Sequence, residues 1–256
     1  MQSFDTYHAH LAENLTVLRA ACTTEAAIGT NADGSASCFF MAHGGLRGGA
    51  GIIPSSSFGS ASLLRMDDLE ASAEAGCEQT IMGALPDRLT KAVNAEIARS
   101  IVGALDGCDR TVRHCAVGSS SLTDAVARGV AALGENEVPV EDEDNMFVLG
   151  TPELRAALLV QVPRVDYVHV KSGNQQHKVP RWAGLNWLFA PQLQHSYALH
   201  RHAIGHALDL PALASPGAVT GGIDPKTGTG WMKAKTKQCA AVLQPPGIVR
   251  VTMAKA

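Results

Sequence analysis

Several features that would assign this chain to a common functional class are missing from its sequence. No stretch approaches the roughly 20 consecutive apolar residues of a membrane helix, and the first residues lack the basic and apolar parts of a signal peptide. The six cysteines include no C-x-x-C pair and no tight metal-binding spacing. These absences predict a globular protein of the reducing cytosol.

The two ends of the chain each lack one type of charged residue, lysine in the first part and acidic residues in the last. Residues 1–90 contain no lysine, four arginines and ten acidic residues, whereas residues 226–256 contain five lysines, one arginine and no acidic residue. The net charge of −3 gives no overall basic surface for nucleic acid. Opposite charges can meet within one fold or between two copies of it, and the sequence leaves both possibilities open.

The candidate metal motif is incomplete. Within the cluster His195, His200, His202 and His206, the last two have the four-residue spacing of a zinc site on a helix. The zinc-protease motif needs a glutamate directly after the first histidine to activate the metal-bound water, and this position is Ala203. A cytosolic metalloenzyme is therefore a less favoured alternative, and we predict no metal site.

Two other short motifs also fail to predict catalysis. Gly44–Gly51 is rich in glycine, but no Lys-Ser or Lys-Thr pair follows it as in a phosphate-binding loop. Ser119–Ser121 lacks the G-x-S-x-G spacing of a nucleophile turn, and Ser121 suits the N-cap of a helix. We therefore predict no catalytic residue, no cofactor and no enzymatic activity.

Apolar periodicity and capping residues predict several helices. The strongest covers residues 87–106 and stops before Gly107, a second covers 122–133, and a third begins after Thr151. A further helix is predicted near residues 199–208. Residues 4–21 form an amphipathic helix with Leu11, Leu15 and Leu18 on one face, which we predict to lie outside the core as an arm.

Extended structure is predicted between and after these helices. Residues 36–66 are rich in glycine and serine and are too long for an ordinary connection, which favours a long hairpin with a functional role. Short apolar runs predict strands at residues 146–149, 167–170, 182–189, 239–243 and 248–253.

The order of these segments resembles that of tailed-bacteriophage major capsid proteins, which have the Hong Kong 97-like fold. The resemblance is carried by Phe40–Pro54, Ala131–Pro139, Phe147–Leu154, His195–Ala207 and Cys239–Arg250. It extends from about residue 30 to the end of the chain. It implies an α+β fold with an N-terminal arm, an extended loop, a peripheral domain with a long spine helix, and an axial domain.

The resemblance also implies a division of the chain. Residues 1–30 would form the arm and residues 31–69 the extended loop. Residues 70–115 would form the part of the peripheral domain with the spine helix. Residues 116–230 would form the axial domain, with a return to the peripheral domain near 195–210, and residues 231–256 would add the closing strands of the peripheral domain.

The implied function is assembly. Identical subunits would form the pentamers and hexamers of an icosahedral shell around double-stranded DNA, in a virion built in the cytoplasm of the host bacterium. Expected partners are portal, scaffolding and decoration proteins, with weak nonspecific contact to DNA and none to membranes. An encapsulin-type nanocompartment shell protein has the same fold and is the alternative.

Candidate residues for contacts between subunits come from three sources. The arm offers an apolar face, the extended loop offers arginines, and the C-terminal stretch offers lysines without the aromatic residues that would stack bases. The candidates are Leu11, Leu15, Leu18, Arg47, Arg65, Lys233, Lys235 and Lys237.

Overall fold

Both helices and strands occur in the part of the chain that the structure, a computed structural model, describes. This part comprises residues 11, 13–40, 64–75, 84–107, 113–117, 121–172, 175–213, 215 and 217–253. Its α-helices are α1 (Leu85–Gly107), α2 (Leu122–Glu135), α3 (Pro152–Gln161) and α4 (Leu210–Leu213). Short 3-10 helices cover Val17–Ala21, Arg201–Ala203 and Pro245–Gly247.

The strands form three sheets. Their bounds are β1 (Ala26–Thr30), β2 (Ala36–Phe40), β3 (Leu64–Arg65), β4 (Asp67–Ala75), β5 (Arg113–Val117), β6 (Met146–Gly150), β7 (Asp166–Ser172), β8 (Gln175–Trp182), β9 (Leu185–Phe189), β10 (Ser196–His200), β11 (Ile204–Leu208), β12 (Val219–Ile223), β13 (Gly230–Val242) and β14 (Ile248–Met253).

The longest helix packs on a four-stranded sheet. Strand β13 is central to this sheet, with β4 antiparallel along one side and β12 and β11 following one another along the other. The apolar face of α1 repeats every four residues, and its five central members are at most 1% exposed: Leu89, Val93, Ile97, Ile101 and Leu105. The helix predicted over residues 87–106 is confirmed, and it extends slightly at both ends.

The central strands of a seven-stranded sheet are covered on both faces. Its strand order is β5-β14-β10-β6-β9-β8-β7. In β6, Met146 and Val148 face a core made with α2 and α3, whereas Phe147 and Leu149 face the main core shared with α1. Because both faces are buried, the strand is a continuous apolar run, which is why it could be predicted.

The N-terminal segment covers the second face of this sheet. Leu11, Leu15 and Leu18 are buried in the main core, and the chain turns at Asn14–Thr16 instead of continuing as one helix. The prediction that this leucine face lies outside the core is therefore wrong. Periodicity showed that one face needs a cover, but not that the same subunit supplies it.

Two connected hairpins precede the four-stranded sheet. Strands β1 and β2 pair around a turn in which the Asn31 N–H donates to the Ser35 carbonyl (2.8 Å) and Gly34 has a φ of 82°. Strand β2 then pairs with β3, which confirms the base of the predicted long hairpin. The rest of that hairpin, including Gly44–Gly51, lies outside the described residues.

The region around the histidines differs from the prediction. The helix predicted near residues 199–208 is wrong, since this stretch is β10, a single 3-10 turn and β11. All residues of both strands are buried. A strand buried on both faces has no polar alternation, so its apolar residues fell by chance at helical spacing.

Most of the other predicted helices and strands are present in the structure. The helices predicted at 122–133 and after Thr151 are confirmed as α2 and α3, with the Leu154 N–H donating to Thr151 Oγ1 at 3.4 Å. The strands predicted at 146–149, 167–170, 239–243 and 248–253 correspond to β6, β7, the end of β13, and β14. The extended stretch 182–189 is interrupted by a two-residue turn.

Candidate functional site at the hairpin base and the charged ladder

Acidic residues of the first part of the chain lie opposite lysines of the last part. In the register of β4 and β13, Glu70 faces Lys235 and Asp68 faces Lys237. Both pairs form ion pairs, with Nζ to carboxylate oxygen distances of 2.8 Å and 2.6 Å. The hydrogen bond from Lys237 lowers the pKa of Asp68, and the hydrogen bond to Glu70 raises the pKa of Lys235. We call this exposed row of pairs the charged ladder.

The ladder continues into a shallow groove. Lys233 lies opposite Ser72, with its Nζ 5.8 Å from the centre of the Trp231 ring. Next to it, the groove of about 590 Å³ is also lined by Ile223, whose side chain is 60% exposed. This end of the sheet therefore combines an apolar surface with a cation.

The base of the long hairpin is fixed on the four-stranded sheet. A Cβ atom added to Gly205 would lie 2.6–2.8 Å from the Phe40 ring, so the ring of β2 rests on the bare backbone of β11. Around this contact, a small buried cluster joins the hairpin to the sheet: Cys38, Phe40, Met66, Ala207 and Cys239. We call these five residues the hairpin anchor.

Large apolar side chains remain exposed on the seven-stranded sheet and its helices. Leu159 and Val160 at the end of α3 are 70% and 84% exposed. On the edge strand β7, Tyr167 is 60% exposed and has the Nζ of Lys178 5.1 Å from its ring centre. Together with Ile223, these residues offer apolar surface on both sheets.

The histidines are not gathered into one site. His206 Nδ1 accepts a hydrogen bond from Arg19 Nε at 3.2 Å, and the other ring nitrogen lies 3.4 Å from Gln238 Oε1. His200 Nδ1 accepts from the His202 backbone N–H, and His195 Nδ1 pairs with Arg250. Throughout the described ranges, no three His, Cys, Asp or Glu side chains lie together as a metal-binding group.

Burial changes the protonation of two of these histidines. Desolvation, followed by the nearby Arg19 charge, lowers the pKa of His206 to about 3. Desolvation and the neighbouring His202 lower the pKa of His200 to about 4, although Asp142 opposes this shift. Both side chains are therefore neutral near pH 7, and they pack as core residues.

An acidic turn before β6 is held by residues that the sequence analysis did not single out. The Asn186 amide donates to the Glu143 carbonyl (2.8 Å) and the Met146 carbonyl (3.1 Å), and its oxygen accepts from Arg181 Nε. Arg181 also forms an ion pair with Asp144 at 2.7 Å. The available signal was an asparagine inside the apolar run Leu185–Phe189, because a buried polar side chain needs partners.

The structure separates the residues predicted to form contacts between subunits. Leu11, Leu15 and Leu18 are in the core, Lys235 and Lys237 belong to the charged ladder, and Lys233 lies beside Trp231. Arg65 is exposed on β3, next to the hairpin anchor, and Arg47 lies outside the described residues. Contacts of these residues with a second copy stay predictions.

Sequence comparison identifies no relative of this chain, since no family model and no curated protein matches it. Solved capsid structures, in contrast, are similar to it over most of its length. The capsid of the cyanophage P-SCSP1u matches with a TM-score of 0.54 and 11% identity, over 95% of this chain and 90% of that chain. The capsid of an empty GTA particle matches with a TM-score of 0.51 and 15% identity, over 93% and 90%. The satellite phage P4 procapsid matches with a TM-score of 0.50 and 9% identity, over 99% and 100%.

The chain has the Hong Kong 97-like capsid fold. The α+β class predicted from the sequence is thereby confirmed. Within this capsid fold, the division into arm, extended loop, peripheral domain and axial domain stays a prediction. Residues 231–256, predicted as one unit, are shared between two sheets. Strand β13 belongs to the four-stranded sheet and β14 to the seven-stranded sheet. Among the described helices, none is long and apolar enough to cross a bilayer.

Proposed function

We propose that this chain is a major capsid protein that assembles into the pentamers and hexamers of an icosahedral shell around the double-stranded DNA of a tailed phage. The observation that carries the proposal is the capsid fold, which is shared over nearly the whole length of three capsid proteins. The protein would act in the virion after assembly in the host cytoplasm, and its function would be structural, without catalysis.

The exposed apolar residues support assembly. Leu159 and Val160 on α3, Tyr167 on β7 and Ile223 on β12 leave large apolar surfaces in water within one subunit. Covering them with a neighbouring copy gains roughly 25 cal/mol for each Å² buried. Since the four residues lie on three elements, α3, β7 and β12, a head-to-tail contact that closes into rings fits them.

The charges support weak binding to DNA. Lys235 and Lys237 already form ion pairs with carboxylates of the same chain, so they are poor ligands for phosphate. Portal, scaffolding and decoration proteins are expected as partners, together with identical subunits. The proposed shell thus surrounds its genome without binding each phosphate tightly.

The test is expression of the full chain with its scaffolding protein, followed by negative-stain microscopy and light scattering. We expect uniform closed particles, and particles from infected cells should contain nuclease-protected DNA. Protein cargo in place of DNA would favour the encapsulin-type alternative. A subunit that stays monomeric at high concentration with the scaffolding protein would contradict both.

A variant sharpens this test. Leu159→Glu combined with Val160→Glu should leave the subunit folded by circular dichroism, because both side chains are already in water. The same double variant should prevent particle formation, because it puts charges on the proposed contact surface. Ala156→Glu, which adds a carboxylate at another exposed position of the same helix, is the matched control and should still assemble. Normal particles from the double variant would exclude this end of α3 as a contact surface.

A further inference from the structure

Two cysteines far apart in the sequence meet in the hairpin anchor. Cys38 lies on β2 and Cys239 on β13, and both are buried in the same five-residue cluster. The Cys38 thiol donates a hydrogen bond to the Cys239 sulfur, which lowers the pKa of Cys239 and raises the pKa of Cys38. The pair thus contains one sulfur that ionises more readily and one that keeps its proton.

We propose that Cys38 and Cys239 are a modification site at which a small hydroperoxide forms a disulfide, joining the hairpin base to the long strand of the four-stranded sheet. Cys239 is 7% exposed and Cys38 is 1% exposed, so the more ionised sulfur is also the more accessible one. This inference goes beyond the proposed shell function and holds for the isolated subunit.

The chemistry needs one molecule of hydrogen peroxide. The Cys239 thiolate attacks one oxygen, the O–O bond breaks, and the released hydroxide takes up the proton that the thiol lost, leaving a sulfenic acid. The Cys38 sulfur then attacks the Cys239 sulfur, the S–O bond breaks, and water leaves with the Cys38 proton. Two thiols and one peroxide give one disulfide and two waters.

Cys22 provides an internal contrast. It is also buried, but desolvation raises its pKa to about 12, and its Sγ donates to the Leu18 carbonyl at 3.8 Å. No thiol lowers its pKa as Cys38 does for Cys239, so it should react far more slowly. We therefore expect oxidation at the thiol pair and not at the equally buried Cys22.

The bond would close a loop of about 200 residues between the hairpin and the strand, which restricts the unfolded chain. It would also stop the hairpin base from separating from β11 and β13 in the folded subunit. The expected result is a rise in Tm of the oxidised protein that a reductant reverses.

The test uses the full chain with Cys22→Ala, because trypsin leaves Cys22 and Cys38 in one peptide, residues 20–47. After treatment with hydrogen peroxide and alkylation, we expect this peptide joined to residues 238–250, lighter than the sum of the two by two hydrogen atoms. A reductant should separate them. Recovery of both peptides alkylated, or of residues 238–250 joined to a different cysteine, would overturn the proposal.

A second variant tests the pairing. Adding Cys38→Ala should abolish both the joined peptides and the reversible rise in Tm, and should leave Cys239 trapped as an oxidised acid. Cys22→Ala alone is the matched control and should retain both effects. A reversible rise in Tm that survives Cys38→Ala would also overturn the proposal. If Cys38→Ala does not fold, the peptide map of the Cys22→Ala protein still decides.

Discussion

The two large sheets differ in how they meet solvent. In the seven-stranded sheet, all five residues of β6 are buried, and the four from Met146 to Leu149 alternate between two cores. In the four-stranded sheet, β4 alternates, with Leu69, Ala71, Ala73 and Ala75 buried and the residues between them exposed. The central strands of one sheet lie between two layers of packing, whereas the other sheet has a water-exposed face along β4 and is covered on that side only near β11, by the hairpin anchor.

This difference explains where the uneven charge of the sequence goes. Carboxylates from the first 90 residues and lysines from the last 31 meet on the exposed face of the four-stranded sheet, in the charged ladder. The central strands of the seven-stranded sheet, which are buried on both faces, have no exposed positions for such pairs. The sequence left contacts within the fold and between copies open, and the ion pairs of Lys235 and Lys237 are within the fold.

The largest expected loss of stability comes from placing a charge in the buried strand β6, compared with the same charge on the exposed face of β4. Val148→Glu and Leu149→Glu, on opposite faces of β6, should each prevent folding, because an unpaired buried carboxylate costs several kcal/mol of a total stability of about 5–15 kcal/mol. Ser72→Glu on β4 is the control. It is exposed and faces Lys233, so the free energy of unfolding should change by about 0.5 kcal/mol or less. Chemical denaturation of soluble protein measures all three, and a folded Leu149→Glu protein would contradict coverage of the second face.

The next largest loss of stability is expected in the N-terminal segment, which covers the second face of the seven-stranded sheet. Leu18→Ala should lower the free energy of unfolding of the subunit by about 2–5 kcal/mol, because the side chain is 4% exposed in the main core. Val17→Ala, next to it and only partly buried, should cost less. If Leu18→Ala left subunit stability unchanged and affected assembly only, the arm predicted from the sequence would be restored.

The comparison of the sheets also shows what the sequence can reveal. Strand β6 was predicted because burial on both faces gives a continuous apolar run, and α1 because its apolar residues repeat along one face. Strand β4 was not predicted. Its buried positions are mostly alanine and its exposed ones mostly acidic, and neither residue type favours strands, so composition did not predict a strand although residues 68–75 alternate strictly.

The candidate site could be predicted from the sequence only in part, for a related reason. The glycine-rich composition predicted a long hairpin, but not that Phe40 would rest on Gly205, which is 165 residues away in the sequence. Likewise, periodicity identified the face of Leu11, Leu15 and Leu18 but not its cover. Local patterns show that a surface will be buried, whereas only the tertiary structure shows against what.

A smaller effect is expected at the hairpin anchor. Gly205→Ala should destabilise the subunit by about 1–3 kcal/mol, because the added methyl overlaps the Phe40 ring and the packed sheet cannot move away freely. Adding Phe40→Leu should recover part of this loss, since the smaller side chain removes the overlap. A thermodynamic cycle from urea denaturation measures the coupling, and strictly additive losses would show that the two residues do not touch.

The pH dependence tests the contact between the N-terminal segment and β11. The pKa of His206 is about 3 in the fold and about 6.5 when unfolded, so the unfolded chain binds the proton more readily. Its contribution to stability is complete above pH 6.5 and is lost as the pH falls towards 3, by about 1.4 kcal/mol for each pH unit. His206→Gln, which can still accept from Arg19, should make the urea midpoint less dependent on pH. An unchanged slope would mean that His206 is not the titrating group.

The smallest effect belongs to the charged ladder, because its pairs are exposed and screened by solvent. Glu70→Lys places like charges opposite each other on β4 and β13, and this should lower the Tm slightly at low salt. Adding Lys235→Glu reverses both charges and should restore the Tm, since the attraction depends on the pairing and not on which strand carries each sign. In 1 M salt, where the screening length is about 3 Å, the loss in the single variant should nearly disappear. If the swapped pair stayed as unstable as Glu70→Lys at low salt, the exposed face would be specified by side-chain packing and not by charge, and the contrast between the two sheets would lie only in their burial.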